Sequence, residues 1–178
     1  AGTNADLFRL AFDENPVPPQ NAALDVYEGV EGLSGSAFAD TLLGSDVDST
    51  TIGQQGFRGS VLDAQGIALI NGLQAVVGAG ITFFDGGDII LGGDGSDLIM
   101  GRGRNDILDG DKWLDVQIGV FAASDTAHTG TPIALHNSMT TLVSSMFSGA
   151  INPGQLAIVR TIRTDATAGD VDTAVYLG

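Results

Sequence analysis

Four aspartates recur at a constant interval of nine residues: Asp88, Asp97, Asp106 and Asp115, in the segments FFDGGDIIL, GGDGSDLIM, GRGRNDILD and GDKWLDVQI that begin at 83, 92, 101 and 110. Asp holds the sixth place each time, and the eighth holds Ile90, Ile99 and Leu108 before Gln117 breaks the pattern. Surface solvation does not account for this order, because it would accept Glu as readily as Asp. Of 22 acidic residues, only Glu14, Glu28 and Glu31 are not Asp. Asp is the shorter carboxylate, favoured in turns and as a loop metal ligand. Carboxylates set among glycine carbonyls suit a hard cation. Ca²⁺, which takes about 6 to 8 oxygen ligands in flexible geometry, fits better than Mg²⁺, which demands a tight octahedron.

The register matches the nonapeptide G-G-x-G-x-D-x-U-x, whose first six residues turn and whose last three form a short strand with the eighth side chain inward. Glycine permits the turn and lets neighbouring turns stack closely. Two nonapeptides complete one coil, so stacked turns lie 18 residues apart. Asp88 is thereby expected to pair with Asp106, and Asp97 with Asp115. Carbonyls of first and third places in one turn (Gly92 and Asp94, with Asp85 in the outer turn) and of second and fourth places in the next (Arg102 and Arg104, then Asp111 and Trp113) complete the expected ligands. Packed carboxylates would repel one another without the cation, so metal binding is expected to be coupled to folding.

The elements that must hold these turns follow from the rest of the pattern. The fold expected is mainly β: a short parallel β-roll over 32–120, with a helical insertion at 45–82 and an α+β cap at 121–178 packed on the roll. Residues 1–31, with Pro16, Pro18 and Pro19, read as an extended lead-in. SVLDAQGIALINGLQAVVG predicts a helix over about 61–77, with Ser60 and Asp63 as cap candidates. Gly66 and Gly72 each cost such a helix about 1 kcal/mol relative to Ala, which points to support by packing and a close approach of another element. VQIGVFAA and QLAIVRTIRT predict strands, Asn137 is a cap candidate for a helix through SMTTLVSSMF stopped at Gly149, and NPG predicts a turn.

Composition limits the function classes. Seven basic residues give a formal net charge of −15, which disfavours nucleic acid and anionic membrane surfaces. The absence of cysteine removes disulfides and thiolate metal sites. No apolar run is long enough to span a bilayer, and the N-terminus has no secretory-signal pattern. The chain begins without Met and ends on DTAVYLG, which reads as a strand cut short, so a piece of a longer chain is expected. His128 and His136 stand at no recognisable catalytic spacing, and HExxH, GxSxG and Walker patterns are missing. No catalytic or organic-cofactor residues are assigned, and the chain is not expected to be an enzyme.

On GGDGSDLIM and its neighbours the sequence resembles the RTX (haemolysin-type) calcium-binding repeats of bacterial proteins exported by type I secretion. GLSGSAFADTLLG at 32–44 resembles a leading repeat, with Asp40 in the sixth place and Leu42 in the eighth. LDAQGIALINGLQAVVGAG, NDILDGDKWLDVQI and SGAINPGQLAIVR resemble the RTX-bearing region of large bacterial haem peroxidases of the animal-peroxidase type. The resemblance implies a secreted or surface module of a Gram-negative bacterium, with any peroxidase domain elsewhere in the parent chain. It also implies repeats that fold on meeting calcium outside the cell. The function expected is a calcium-stabilised structural module. A Ca²⁺-dependent adhesin or carbohydrate-binding module is the alternative.

Overall fold

The computed structural model describes residues 4–6, 32–46, 50, 62–165 and 169–176. It divides into two units: residues 1–113 with 162–178, and Leu114–Thr161. The chain is mainly strand, as expected.

In the first unit the strands are very short because six-residue turns consume most of each repeat. One sheet has the order β1 (Asn4–Asp6), β3 (Thr41–Leu43), β7 (Leu98–Met100), β12 (Thr173–Val175), and every neighbouring pair is parallel. The other has the order β2 (Gly32–Ser34), β6 (Ile89–Leu91), β8 (Ile107–Asp109), again parallel throughout. Strands separated only by a turn lie in different sheets. Ile89 pairs with Ile107 and Ile90 with Leu108, the 18-residue offset that the repeat predicts.

Side chains alternate along a strand, so the central residue of each triplet faces one way and its neighbours the other. The central residues Leu33, Leu42, Ile90 and Ile99 form one buried cluster, with Leu108 packed against it. Full burial of each such side chain is worth about 1.5–3 kcal/mol. The flanking residues Ile89 and Leu91 turn the opposite way and join Ile67, Leu73 and Val77 in a second cluster. β6 is thus buried on both faces, which is why it reads as the uninterrupted apolar run IIL.

The second cluster is supplied by the segment between β3 and β6, where β4 (Leu62–Asp63) pairs antiparallel with β5 (Phe83–Phe84). The single helix expected over 61–77 is instead two, α1 (Ala64–Ala68) and α2 (Leu73–Val77). Asp63 caps the first, accepting from the Gln65 and Gly66 N–H groups at 3.0 and 2.8 Å, while Ser60 lies outside the described residues. The break falls at Gly72, whose φ of 88° is left-handed and costs glycine little. A β-carbon there would press on Ile162, whose N–H donates to the Asn71 carbonyl at 2.8 Å. This is the close approach that glycine in the segment predicted.

The second unit is built on a sheet of order β10 (Ala134–His136), β9 (Lys112–Val120), β11 (Leu156–Thr164), of which residues 112–113 and 162–164 are grouped with the first unit. The expected helix through SMTTLVSSMF is a 3₁₀ turn at Met139–Thr141 followed by α3 (Val143–Phe147). Ser138, not Asn137, caps the turn. Asn137 accepts instead from Gln117 Nε2 at 2.6 Å. NPG forms a 3₁₀ turn in which Asn152 and Gln155 make a reciprocal capping box. The expected segment 121–178 is corrected: residues 162–178 group with the first unit, and β12 extends its larger sheet beside β7.

Candidate metal centre

The stacked turns are clasped by one arrangement used three times. The Asp40 N–H donates to Asp97 Oδ1 at 2.8 Å, and the Leu98 N–H to the Asp40 carbonyl at 2.9 Å. Asp97 repeats this with Asp172 and Thr173 at 2.9 and 2.8 Å, and Asp88 with Asp106 and Ile107 at 2.9 and 2.8 Å. The sixth-place aspartates therefore form two ladders, Asp40–Asp97–Asp172 and Asp88–Asp106. In the second aspartate of each step, one carboxylate oxygen receives a backbone N–H and the other lies against a glycine, Gly92 for Asp97, Gly101 for Asp106 and Gly110 for Asp172.

Three of the five are buried, Asp40 being 3% exposed, Asp88 0% and Asp97 2%, while Asp106 and Asp172 are half-buried. Asp88 Oδ2 accepts the Ser45 N–H at 2.5 Å, but Asp88 Oδ1 and Asp97 Oδ2 have no hydrogen-bond partner among the described residues. An unsatisfied buried acceptor costs about 1–3 kcal/mol, and more when charged. Glycine makes the space around them. A β-carbon at Gly92 would overlap both Asp97 Oδ2 and the Gly110 carbonyl, and one at Gly44 would overlap Asp88 Oδ2 and the Gly101 carbonyl. Carboxylate and carbonyl oxygens thus share the same small volume, a donor set made of hard oxygen ligands.

The electrostatics agree. Burial, together with the Asp106 and Asp46 carboxylates, pushes Asp88 up to about 7, against the lowering effects of the Ser45 N–H and the Arg102 guanidinium. Burial also raises Asp97, opposed by the Asp40 N–H and reinforced by the Asp40, Asp172 and Asp170 charges. Asp106 is raised by burial and by Asp46. Each shift records negative charge that the protein around it does not neutralise.

Of the residues singled out by spacing, Asp88 and Asp106 meet as expected, and Gly92, Asp94 and Asp97 share one turn. Arg102 and Arg104 lie in the turn that ends at Asp106, with φ of 71° and 80° where the repeat has glycine. Arg102 Nη1 donates to the Gly44 carbonyl at 2.8 Å and Arg104 Nε to the Asp46 carbonyl at 3.2 Å. Asp85 is exposed. The expected partner of Asp97 is corrected from Asp115 to Asp172. Asp115 and Trp113 lie within β9, because the fourth segment runs out as a nine-residue strand instead of turning after Gly110. Asp111 is exposed, and its carbonyl accepts the Asp165 N–H at 2.7 Å.

Spacing missed Asp165, Asp170 and Asp172. Carboxylate oxygens of Asp94, Asp165 and Asp170 all lie within 4.8 Å of one another, and Asp94 is raised by desolvation and by the other two charges. The legible trace was GDVDTAV at 169–175, a half repeat with Asp sixth and Ala174 eighth, but more than fifty residues separate it from its first half. The histidines have local roles: His128 packs edge-on to Phe121 and its Nε2 meets the Gly154 carbonyl at 2.9 Å, and His136 Nδ1 meets Thr141 Oγ1 at 2.8 Å. No described helix is long and apolar enough to cross a membrane. No family model, curated protein or solved structure matches the chain.

Proposed function

We propose that this chain is a calcium-binding, calcium-stabilised structural module in which a short parallel β-roll of RTX type holds Ca²⁺ between stacked turns. The observation that carries the reading is the pair of buried carboxylate oxygens, Asp88 Oδ1 and Asp97 Oδ2, without hydrogen-bond partners among the described residues. A divalent cation would satisfy them and offset the repulsion within each ladder. Asp88 and Asp106 would bind one ion with carbonyls of the two turns around them, and Asp97 with its stacked neighbours would bind another. The repeat itself supports calcium over magnesium, since carbonyl-rich turns supply many ligands in loose geometry. The setting, a larger secreted or cell-surface bacterial protein, rests on the resemblance of the repeats to exported proteins. No reaction is assigned to the chain.

Calorimetry and circular dichroism of metal-stripped protein, back-titrated with Ca²⁺, test the reading. At roughly 100 times Kd each ion adds about 2.7 kcal/mol, equivalent to roughly 5–10 °C in Tm for a chain of this size. Asp88→Asn combined with Asp106→Asn is expected to lose one ion and its share of the gain. A spectrum and Tm indifferent to Ca²⁺ refute the proposal.

A further inference from the structure

The turn carrying Asp97 stacks on one that the chain does not complete in a single pass. The Gly92 and Gly93 N–H groups donate to the Asp109 and Gly110 carbonyls at 2.8 and 2.9 Å, so the second turn begins directly against the first. There the chain departs into β9. It returns at Asp165, whose N–H donates to the Asp111 carbonyl at 2.7 Å. Residues 169–172 then supply the missing half: Val171 N–H donates to Ser96 Oγ at 3.0 Å, and Asp97 N–H to Asp172 Oδ1 at 2.9 Å. β12 follows at once, pairing Thr173, Ala174 and Val175 with Leu98, Ile99 and Met100 at the edge of the sheet.

Oxygen donors from both sides of the departure therefore border Gly110. Asp97 Oδ2, buried and unpartnered among the described residues, lies beside the Gly110 carbonyl, since one β-carbon on Gly92 would overlap both. Asp172 Oδ2 lies against Gly110 in turn. One donor precedes the excursion and another follows it. Closure also gathers Asp94, Asp165 and Asp170 into mutual repulsion, which works against the closed form unless a cation is present.

We propose that a Ca²⁺ held by Asp97, Asp172 and the Gly110 carbonyl fastens the two ends of the 111–172 excursion together and keeps β12 on the sheet. This rests on the calcium reading above and adds to it a divided site, with Asp172 in the place that spacing gave to Asp115. Closing so long a loop carries an entropic cost that the ion offsets. The return of the chain, and with it β12, is then the part of the first unit most dependent on calcium.

Hydrogen exchange followed by mass spectrometry on the full 178-residue chain, with Ca²⁺ or with EGTA, tests this alongside the number of bound ions from native mass spectrometry. In the wild type, Ca²⁺ is expected to slow exchange of Thr173–Val175 at least about tenfold, with a smaller change at Ile89–Leu91, which also reports that the fold is intact. Asp172→Asn is expected to lose one ion and the slowing, and Asp115→Asn to keep both. Ions bound without slowing of Thr173–Val175, or lost from Asp115→Asn and retained by Asp172→Asn, overturn the fastening and leave the calcium module standing. Failure of the wild type to bind Ca²⁺ overturns both.

Discussion

Asp88 has one carboxylate oxygen committed to the Ser45 N–H and the other without a partner among the described residues, in a position that water does not reach. In metal-free protein its carboxyl is pushed up to about 7, so the folded state holds that proton more tightly than the unfolded chain does. The sign is unambiguous. Below the ordinary carboxylate range both states are protonated and there is no penalty; as pH rises from about 4 to about 7 the unfolded state ionises first and the metal-free fold loses stability. Asp97 and Asp106, raised for the same first cause, act in the same direction. Calcium affinity runs the opposite way, because the ion must displace those protons and binds better as pH climbs. Metal-stripped protein is therefore expected to melt at a lower temperature at pH 8 than at pH 5, and Ca²⁺ to reduce or reverse that slope. Asp88→Asn should flatten the metal-free slope. Thermal scans across the range, with and without Ca²⁺, decide it, and a metal-free Tm that rises toward pH 8 counts against the buried-carboxylate account.

At the scale of elements, the turn is the part with least tolerance. Gly92 has no room for a side chain: a β-carbon would strike the Asp97 carboxylate and the Gly110 backbone, and the backbone cannot swing aside as a flexible side chain would. Gly92→Ala is expected to cost about 1–3 kcal/mol through forced displacement and to abolish the ion at Asp97. Gly32→Ala, in a strand where the nearest atom is an ordinary contact at 3.8 Å, should be close to neutral and keep full calcium stoichiometry. Denaturant titration of the two variants separates these effects, and equal losses would mean that the turn is less tightly packed than described. The same contrast explains what the sequence could reveal. Period and side-chain chemistry were legible wherever the repeat is continuous: Asp88 over Asp106, and Ile90 and Ile99 in one cluster, follow from spacing alone, whereas Leu42, across the insertion, was placed with them by its resemblance to a leading repeat. Asp172 was not legible because the ladder is made by tertiary stacking: the chain leaves a turn after Gly110 and completes it after Gly169, and the half repeat GDVDTAV lies too far along the chain for the ninefold spacing to connect it to its first half. The helix misread had a local cause. Apolar spacing ran through Asn71 and Gly72, but the Ile162 backbone pressing on that point favours a left-handed glycine over a continuous helix.

For the molecule as a whole, a net charge of −15 spread over 178 residues opposes compaction at any distance within the screening length. That general repulsion and the specific demand of the ladders both make cations stabilising, yet they differ in how they depend on the ion. Screening depends on ionic strength alone: raising monovalent salt from about 10 mM toward 1 M shortens the Debye length from roughly 30 to 3 Å and weakens repulsion between exposed carboxylates. Buried carboxylates such as Asp88 and Asp97 are screened far less, because salt does not enter the turns. Metal-free protein should therefore gain a few degrees of Tm with NaCl and then level off. Ca²⁺ at millimolar concentration should add a further, saturable rise in the presence of that salt, and Mg²⁺ at the same concentration a smaller one. If NaCl at matched ionic strength reproduced the whole effect of Ca²⁺, the stabilisation would be screening alone, and the aspartate ladders would have no metal to hold.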